Sequence, residues 1–276
     1  MERSYLFVPG NKPERINKAL DSKADAVIID LEDAVAVDAK TEARQQVEEQ
    51  LKGLGPVSKS LFLRINDINT PFWKEDMKLV KDFSLTGVMM PKAQSSEEVC
   101  EIANELTEEQ VIIPLIETAK GVSAAFNIAG SSNKVTRIAF GAVDYCLDLG
   151  ISISENQNEL QYPRSVITVA SRAANIEPPI DTVFVDISDD EGLKKETKRA
   201  KQLGMFSKLC IHPRQVGMVN ELFSPSLKEQ RWAKKVITSF EKAENEGVAA
   251  IQVDGIMIDY PVYKQAIAIV QRSANN

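Results

Sequence analysis

The sequence is poorly equipped for several common kinds of chemistry. It holds one histidine, His212, and three cysteines in 276 residues. Cys100, Cys146 and Cys210 are scattered, odd in number and never at metal-ligand spacing, which suits a reducing compartment and gives no thiolate metal site. Neither Ser/His/Asp nor Cys/His catalysis finds support. No apolar run approaches the roughly 20 residues that a membrane helix needs. The opening MERSYLFVPG lacks the long apolar centre of a signal peptide. The cytoplasm is the expected location, with no membrane partner. A net charge of −7 and the lack of a Lys/Arg stripe argue against nucleic acid. A small anionic substrate stays compatible, because local positive charge can sit inside an acidic protein. A GxGxxG turn is also missing, which counts against an open dinucleotide-binding sheet.

What is present is a rhythm. Eight apolar runs recur at residues 4–8, 26–30, 60–66, 87–92, 111–117, 137–144, 181–186 and 207–213. Segments of helical length separate or follow them, at 14–20, 40–51, 72–82, 96–106, 122–129, 163–174, 191–203 and 214–222. Helix-start chemistry recurs too: Asn11 before Pro13, Thr70 before Pro71, and Ser95-Ser96-Glu97-Glu98. Strand and helix alternating eight times predict a (β/α)8 TIM barrel over residues 1–224. Residues 225–276 form a C-terminal helical extension: a long charged helix at 226–246 and a last helix at 261–270. Such an arm is expected to pack on a neighbouring subunit. The polar stretch 150–159 is expected as a loop over the barrel mouth.

Active sites of such barrels lie at the C-terminal ends of the strands. Here those ends are charged: Asp30, Glu32, Asp33, Arg64, Asn66, Lys92, Glu117, Asp144, Asp186 and His212. The opposite ends show a weaker set, Asp25, Lys59 and Arg137. The stretch 111–122, VIIPLIETAKGV, is the clearest case, a buried strand that stops at a carboxylate, Glu117. Glu117 and Asp144 come from neighbouring runs and could converge. Two carboxylates without histidine or thiolate are oxygen ligands for a hard cation, foremost Mg2+, which keeps waters that substrate displaces. Alternatively they are unrelated acids, one of them in a salt bridge. Arg64 lies in an apolar strand, and its fork matches a carboxylate bidentately; an internal pair with Glu32 or Asp33 is the other reading. His212, before a proline, reads as a structural hydrogen-bonder. Lys92 reads as an electrostatic or structural residue.

The sequence resembles the citrate lyase β subunit and the citrate-lyase-like branch of the HpcH/HpaI aldolase family. The likeness runs nearly end to end, through RSYLFVPGN, IIDLEDAV, LRIN, PLIETAKGV, FGAVDYCLDLG, KLCIHPRQV and GIMIDYP. It implies a barrel with a helical extension, assembled as a homotrimer, and Mg2+ held at Glu117 and Asp144. It implies carbon–carbon cleavage of a 3-hydroxyacyl thioester of citryl, citramalyl or malyl type, giving an acyl thioester and a 2-oxo acid. The thioester is carried by CoA or an acyl-carrier protein. The resemblance assigns Arg64 to the 2-oxo acid carboxylate and Asp259, reaching into an adjacent subunit, to the proton at the thioester α-carbon. Glu32 and Asp33 then tune Arg64 and the metal's waters. Alternatives are a malate-synthase-like condensation with thioester hydrolysis, or a subunit that works only within a lyase complex. Departures from relatives are Ile256 where a lysine is usual, Ser207 where glycine is common, and the loop DINTPFW after LRIN.

Overall fold

All eight apolar runs contribute parallel strands. The computed structural model describes residues 1–83 and 85–274. In it β1 (Ser4–Pro9), β2 (Ala26–Asp30), β3 (Ser60–Arg64), β4 (Gly87–Met90), β5 (Val111–Ile116), β6 (Ala139–Phe140), β7 (Ile180–Asp181) and β8 (Ser207–Cys210) close into a barrel in sequence order. The expected (β/α)8 TIM barrel with its C-terminal helical extension is therefore the fold. Around the strands lie α1 (Arg15–Leu20), α2 (Lys40–Lys52), α3 (Trp73–Asp82), α4 (Ser96–Asn104), α5 (Ala119–Ser123), α6 (Ala125–Ala129), α7 (Ala142–Leu149), α8 (Gln161–Ala173), α9 (Asp190–Gln202) and α10 (Pro213–Phe223).

Strand side chains alternate between faces. Ala26, Ile28 and Asp30 therefore share one face of β2, and Val27 and Ile29 share the other. Ala26 and Ile28 join Tyr5, Phe62, Met89 and Leu115 in the buried cluster that fills the barrel. Each large apolar side chain so buried stabilises the fold by about 1.5–3 kcal/mol. Gly87 shows how tightly β4 meets β5: a Cβ there would lie 1.9 Å from the Val111 carbonyl oxygen. Alanine at that position would force the two strands apart.

The charges at the N-terminal end of the barrel are absorbed structurally. Arg3 binds the Asp25 carboxylate at 2.8 Å. Buried Arg137 donates to the Ser207 hydroxyl at 2.8 Å and to the Tyr5 hydroxyl at 3.0 Å. Ser207, one of the departures from relatives, thus has a task of its own. Its hydroxyl also donates to the Glu2 carbonyl at 2.6 Å.

Several local expectations change. The run 137–144 is not one strand: Gly141 ends β6, and Ala142 begins α7. The segment 122–129 falls in two short helices, α5 and α6, rather than one. The cap at Ser95 does form, with its hydroxyl accepting the Glu98 N–H at 3.3 Å, whereas Phe72 rather than Thr70 precedes α3.

Contacts divide the chain into two compact units, Glu2–Asn220 and a second comprising Glu221–Asn276 with Met1. The second unit holds α11 (Leu227–Asn245), β9 (Ile251–Val253), β10 (Ile256–Ile258) and α12 (Tyr260–Ala274). Ser226 caps α11 in a reciprocal box with Glu229. β9 and β10 form an antiparallel hairpin whose turn residues, Asp254 and Gly255, both have positive φ. Two-residue turns of this hand favour Asp-Gly. Phe240 stacks on Tyr263 at 4.7 Å between the two helices. No helix among the described residues is long and apolar enough to cross a membrane.

Candidate active site

Alternation along the strands puts Asp30, Arg64 and Glu117 at the tops of three inward-facing files. They line a cavity of about 340 Å3 together with Asp33, Asp144, Gly141, Thr182 and apolar side chains. A larger depression of about 740 Å3 lies between residues 153–157 and α9. Charged side chains such as Lys194, Lys195 and Arg199 wall it, and no residue expected at a strand end takes part. The chemistry belongs to the smaller cavity.

Arg64 lies opposite Asp30 in the β2–β3 register. Its Nε and Nη2 donate to the two Asp30 oxygens at 2.7 and 2.6 Å. Nη1 faces Glu32 at 3.2 Å and Asp33 at 3.5 Å. The internal pair expected with Glu32 or Asp33 thus has Asp30 as its main partner. Asp30 also accepts backbone N–H groups from Glu32 at 2.9 Å and Ala34 at 3.2 Å, which shapes the turn carrying both acids. Buried Lys40 fastens that turn by donating to the carbonyls of Leu31 at 2.8 Å and Glu32 at 2.6 Å. Surrounded by these acids, the Arg64 guanidinium is held more firmly charged than usual despite its burial.

Glu117 is only 2 % exposed. Burial, then the Asp144 charge, push its carboxyl up to about 8. Asp144 is raised as well, by burial first and then by Asp33. It comes from the first turn of α7 rather than from a strand end. The Ala142 N–H, donated to the Thr182 hydroxyl at 2.9 Å, ties down the start of that helix. Gly141 makes the arrangement possible, since a Cβ there would sit 2.5 Å from Glu117 Oε2. On the chain's other side Thr118 caps α5 and fixes where Glu117 leaves its strand.

Lys92 does two things. Its backbone adopts φ 50°, a conformation uncommon outside glycine. There its N–H donates to Glu117 Oε1 at 2.8 Å, while its Nζ meets Glu32 Oε1 at 2.5 Å. Glu32 is pushed up to about 7, chiefly by burial, with the Arg64 charge opposing.

Other sequence candidates lie elsewhere. Asn66 turns to buried Asp76, donating side-chain and backbone N–H groups at 2.7 and 2.9 Å. Asp186 is exposed and closes a local turn with Ser188. His212 Nδ1 accepts the Arg214 N–H at 3.2 Å. None of the three lines the cavity. Asp259 belongs to the C-terminal unit, where its carboxylate accepts the Val262 N–H at 3.3 Å.

One buried and one half-buried carboxylate, both with raised proton affinity, form a donor set suited to a hard cation. Among the described residues no group of three or more His, Cys, Asp and Glu is placed to hold a metal. A site with two protein carboxylates, completed by water and substrate, is the arrangement Mg2+ accepts. The model for HpcH/HpaI aldolase/citrate lyase matches residues 3–213. The chain belongs to this family. It is 35% identical to the citrate lyase subunit beta of Leuconostoc mesenteroides subsp. cremoris, an alignment covering 100% of this chain and 94% of that one. It is 32% identical to the L-malyl-CoA/beta-methylmalyl-CoA lyase of Rhodobacter capsulatus, over 99% of this chain and 95% of that one. Among solved structures, CitE of Mycobacterium tuberculosis in complex with magnesium, acetoacetate and coenzyme A superposes with a TM-score of 0.84. That pair is 32% identical, with 99% of this chain and 98% of the other covered.

Proposed function

We propose that this chain is a Mg2+-dependent carbon–carbon lyase that cleaves a 3-hydroxyacyl thioester to an acyl thioester and a 2-oxo acid. The observation that carries the reading is the pairing of Glu117 and Asp144, both raised, in one cavity with Arg64. Relatives support it: M. tuberculosis CitE has been solved with magnesium and pyruvate, and the M. tuberculosis citrate lyase beta subunit with oxaloacetate and magnesium. Glu117 and Asp144 would hold the metal. When bound, Mg2+ supplies a Lewis acid for the oxo-acid oxygens. Arg64 orients the substrate carboxylate, and its pairing with Asp30 keeps the guanidinium plane fixed before substrate arrives. Lys92 holds Glu117 through its backbone and Glu32 through its side chain. Glu32 and Asp33 steer Arg64 and the waters of the metal. Asp259, supplied from the C-terminal unit of an adjacent subunit in a homotrimer, moves the proton at the thioester α-carbon.

The test is Glu117→Ala assayed with citryl-, citramalyl- and malyl-CoA, alongside a Mg2+ titration. Turnover should fall by more than about a hundredfold, since even groups behind the metal ligands are worth 10- to 100-fold. Mg2+ binding should vanish with it. Full turnover in the variant, or in excess chelator, would sink the reading. Asp259→Asn should keep Mg2+ binding and lose turnover; unchanged turnover would remove Asp259 from its role.

A further inference from the structure

The cavity at the barrel mouth is chemically two-sided. Its charged wall groups, Asp30, Asp33, Arg64, Glu117 and Asp144, all follow or end strands β2 to β6. The arc from β7 through β8 to β1 contributes no charge: beside Thr182, whose hydroxyl accepts the Ala142 N–H, it presents Val183, Val185, Leu209, Ile211 and Phe7. Val185 is 64% exposed and Ile211 40% exposed. Their apolar surface therefore faces open space rather than the barrel core.

Positive charge is confined to the acidic arc. One edge of the Arg64 fork, Nε and Nη2, is taken by Asp30, Nη1 faces Glu32 and Asp33, and Lys92 is paired with Glu32. On the other arc, Lys208 of β8 turns outward to Asp181 and Glu196. Lys12 and Arg214 follow β1 and β8 in the chain, but neither lines the cavity.

We propose that the mouth selects a thioester whose 2-oxo acid half carries a single carboxylate, with hydrogen or a small alkyl group directed at the β7–β8–β1 arc. The product is then of the glyoxylate or pyruvate class rather than the oxaloacetate class. The inference rests on the lyase reading above and narrows its substrate. One carboxylate is matched by Arg64 and a divalent cation. A second one would meet either the crowd of acids, which repel it, or an apolar wall, where a charge without a partner is costly. An alkyl group on the same wall removes apolar surface from water.

The deciding experiment needs neither turnover nor a carrier. The full chain, loaded with Mg2+, is titrated calorimetrically with glyoxylate, pyruvate and freshly dissolved oxaloacetate. Glyoxylate or pyruvate should bind about tenfold or more tightly than oxaloacetate, the scale of one unpaired charge contact. Oxaloacetate binding as tightly as both, or more so, overturns the proposal. Val185→Arg, at an exposed position, should improve oxaloacetate relative to pyruvate by about tenfold and leave Mg2+ affinity alone. Ile211→Lys is the second variant of the same kind. An unchanged preference in folded forms of both overturns the role of the apolar arc. If Mg2+ binds but no 2-oxo acid does, the lyase reading itself fails.

Discussion

Two acid–base pairs face each other across neighbouring strands of this barrel, and they do opposite things. Asp181 of β7 lies opposite Lys208 of β8, and Asp30 of β2 lies opposite Arg64 of β3. The first pair points outward. There Asp181 meets Lys208 at 2.7 Å and Arg164 of α8 at 2.7 Å, and Glu196 of α9 meets Lys208 at 2.5 Å. Two cations and two carboxylates balance, all at most 6% exposed. The second pair points inward and is not balanced: Asp30, Glu32, Asp33, Glu117 and Asp144 outnumber Arg64 and Lys92. Partnered charge holds Asp181 below the ordinary carboxylate range in spite of complete burial. Burial raises Glu117 instead, and the Asp144 charge adds to that rise. A closed account of charge marks structure, and an excess of one sign marks a place for a ligand of the other.

The comparison breaks most visibly at its balanced side. Asp181→Ala leaves two buried cations to share Glu196 and should cost about 3–5 kcal/mol of stability, read as a lower urea midpoint. A loss near that of a surface substitution would mean that the cluster contributes little. Arg64→Lys should leave the fold intact but replace a planar fork by a point charge. The KM for the thioester should rise about tenfold or more, and an unchanged KM would take the carboxylate away from Arg64. A smaller effect separates the two tasks of Lys92. Lys92→Gly and Lys92→Ala both lose the ion pair with Glu32, but only glycine relaxes the positive φ, so it should be the more stable by about 1 kcal/mol. Equal stabilities would remove strain from the account.

The mildest probe is acid. Asp181 has a folded value below its unfolded one near 3.9, so its stabilisation is present at neutral pH. It is lost as pH falls through the lower folded value. Wild-type unfolding should therefore steepen below about pH 4, and Asp181→Asn should lack that limb. A variant that kept the full limb would assign it to other carboxylates.

Much of this is legible in the sequence, for identifiable reasons. The eight strands show as runs such as AVIID and VIIPLI, because burial on both faces leaves no room for polar alternation. Glu117 is visible as the acid that ends one of them. The residue opposite Arg64 was harder to see. Glu32 and Asp33 are its obvious partners by composition, but strand register decides for Asp30, and register is a property of the paired sheet. Asp144 reads as a strand end because RIAFGAVD is apolar between its terminal charges; Gly141, needed beside Glu117, is the sign of a break. Nothing in a lysine announces a positive φ, so the backbone task of Lys92 was invisible. The hairpin of the C-terminal unit is not among the sequence expectations, although Asp254-Gly255, a turn pair between short apolar runs, signals it.

Glu117 and Asp144, the acid pair at the mouth, are proposed to hold a divalent cation, and the rest of the chemistry depends on that claim. Thermal unfolding of the wild type and Glu117→Gln, each with chelator and with Mg2+, tests it most directly. Without metal the variant should be the more stable by about 1–2 kcal/mol, since one of two crowded acids is gone. On adding Mg2+ only the wild type should gain stability, as a ligand that binds the folded state must stabilise it. A variant less stable than the wild type in chelator, or equal Mg2+ shifts in both proteins, would contradict the claim.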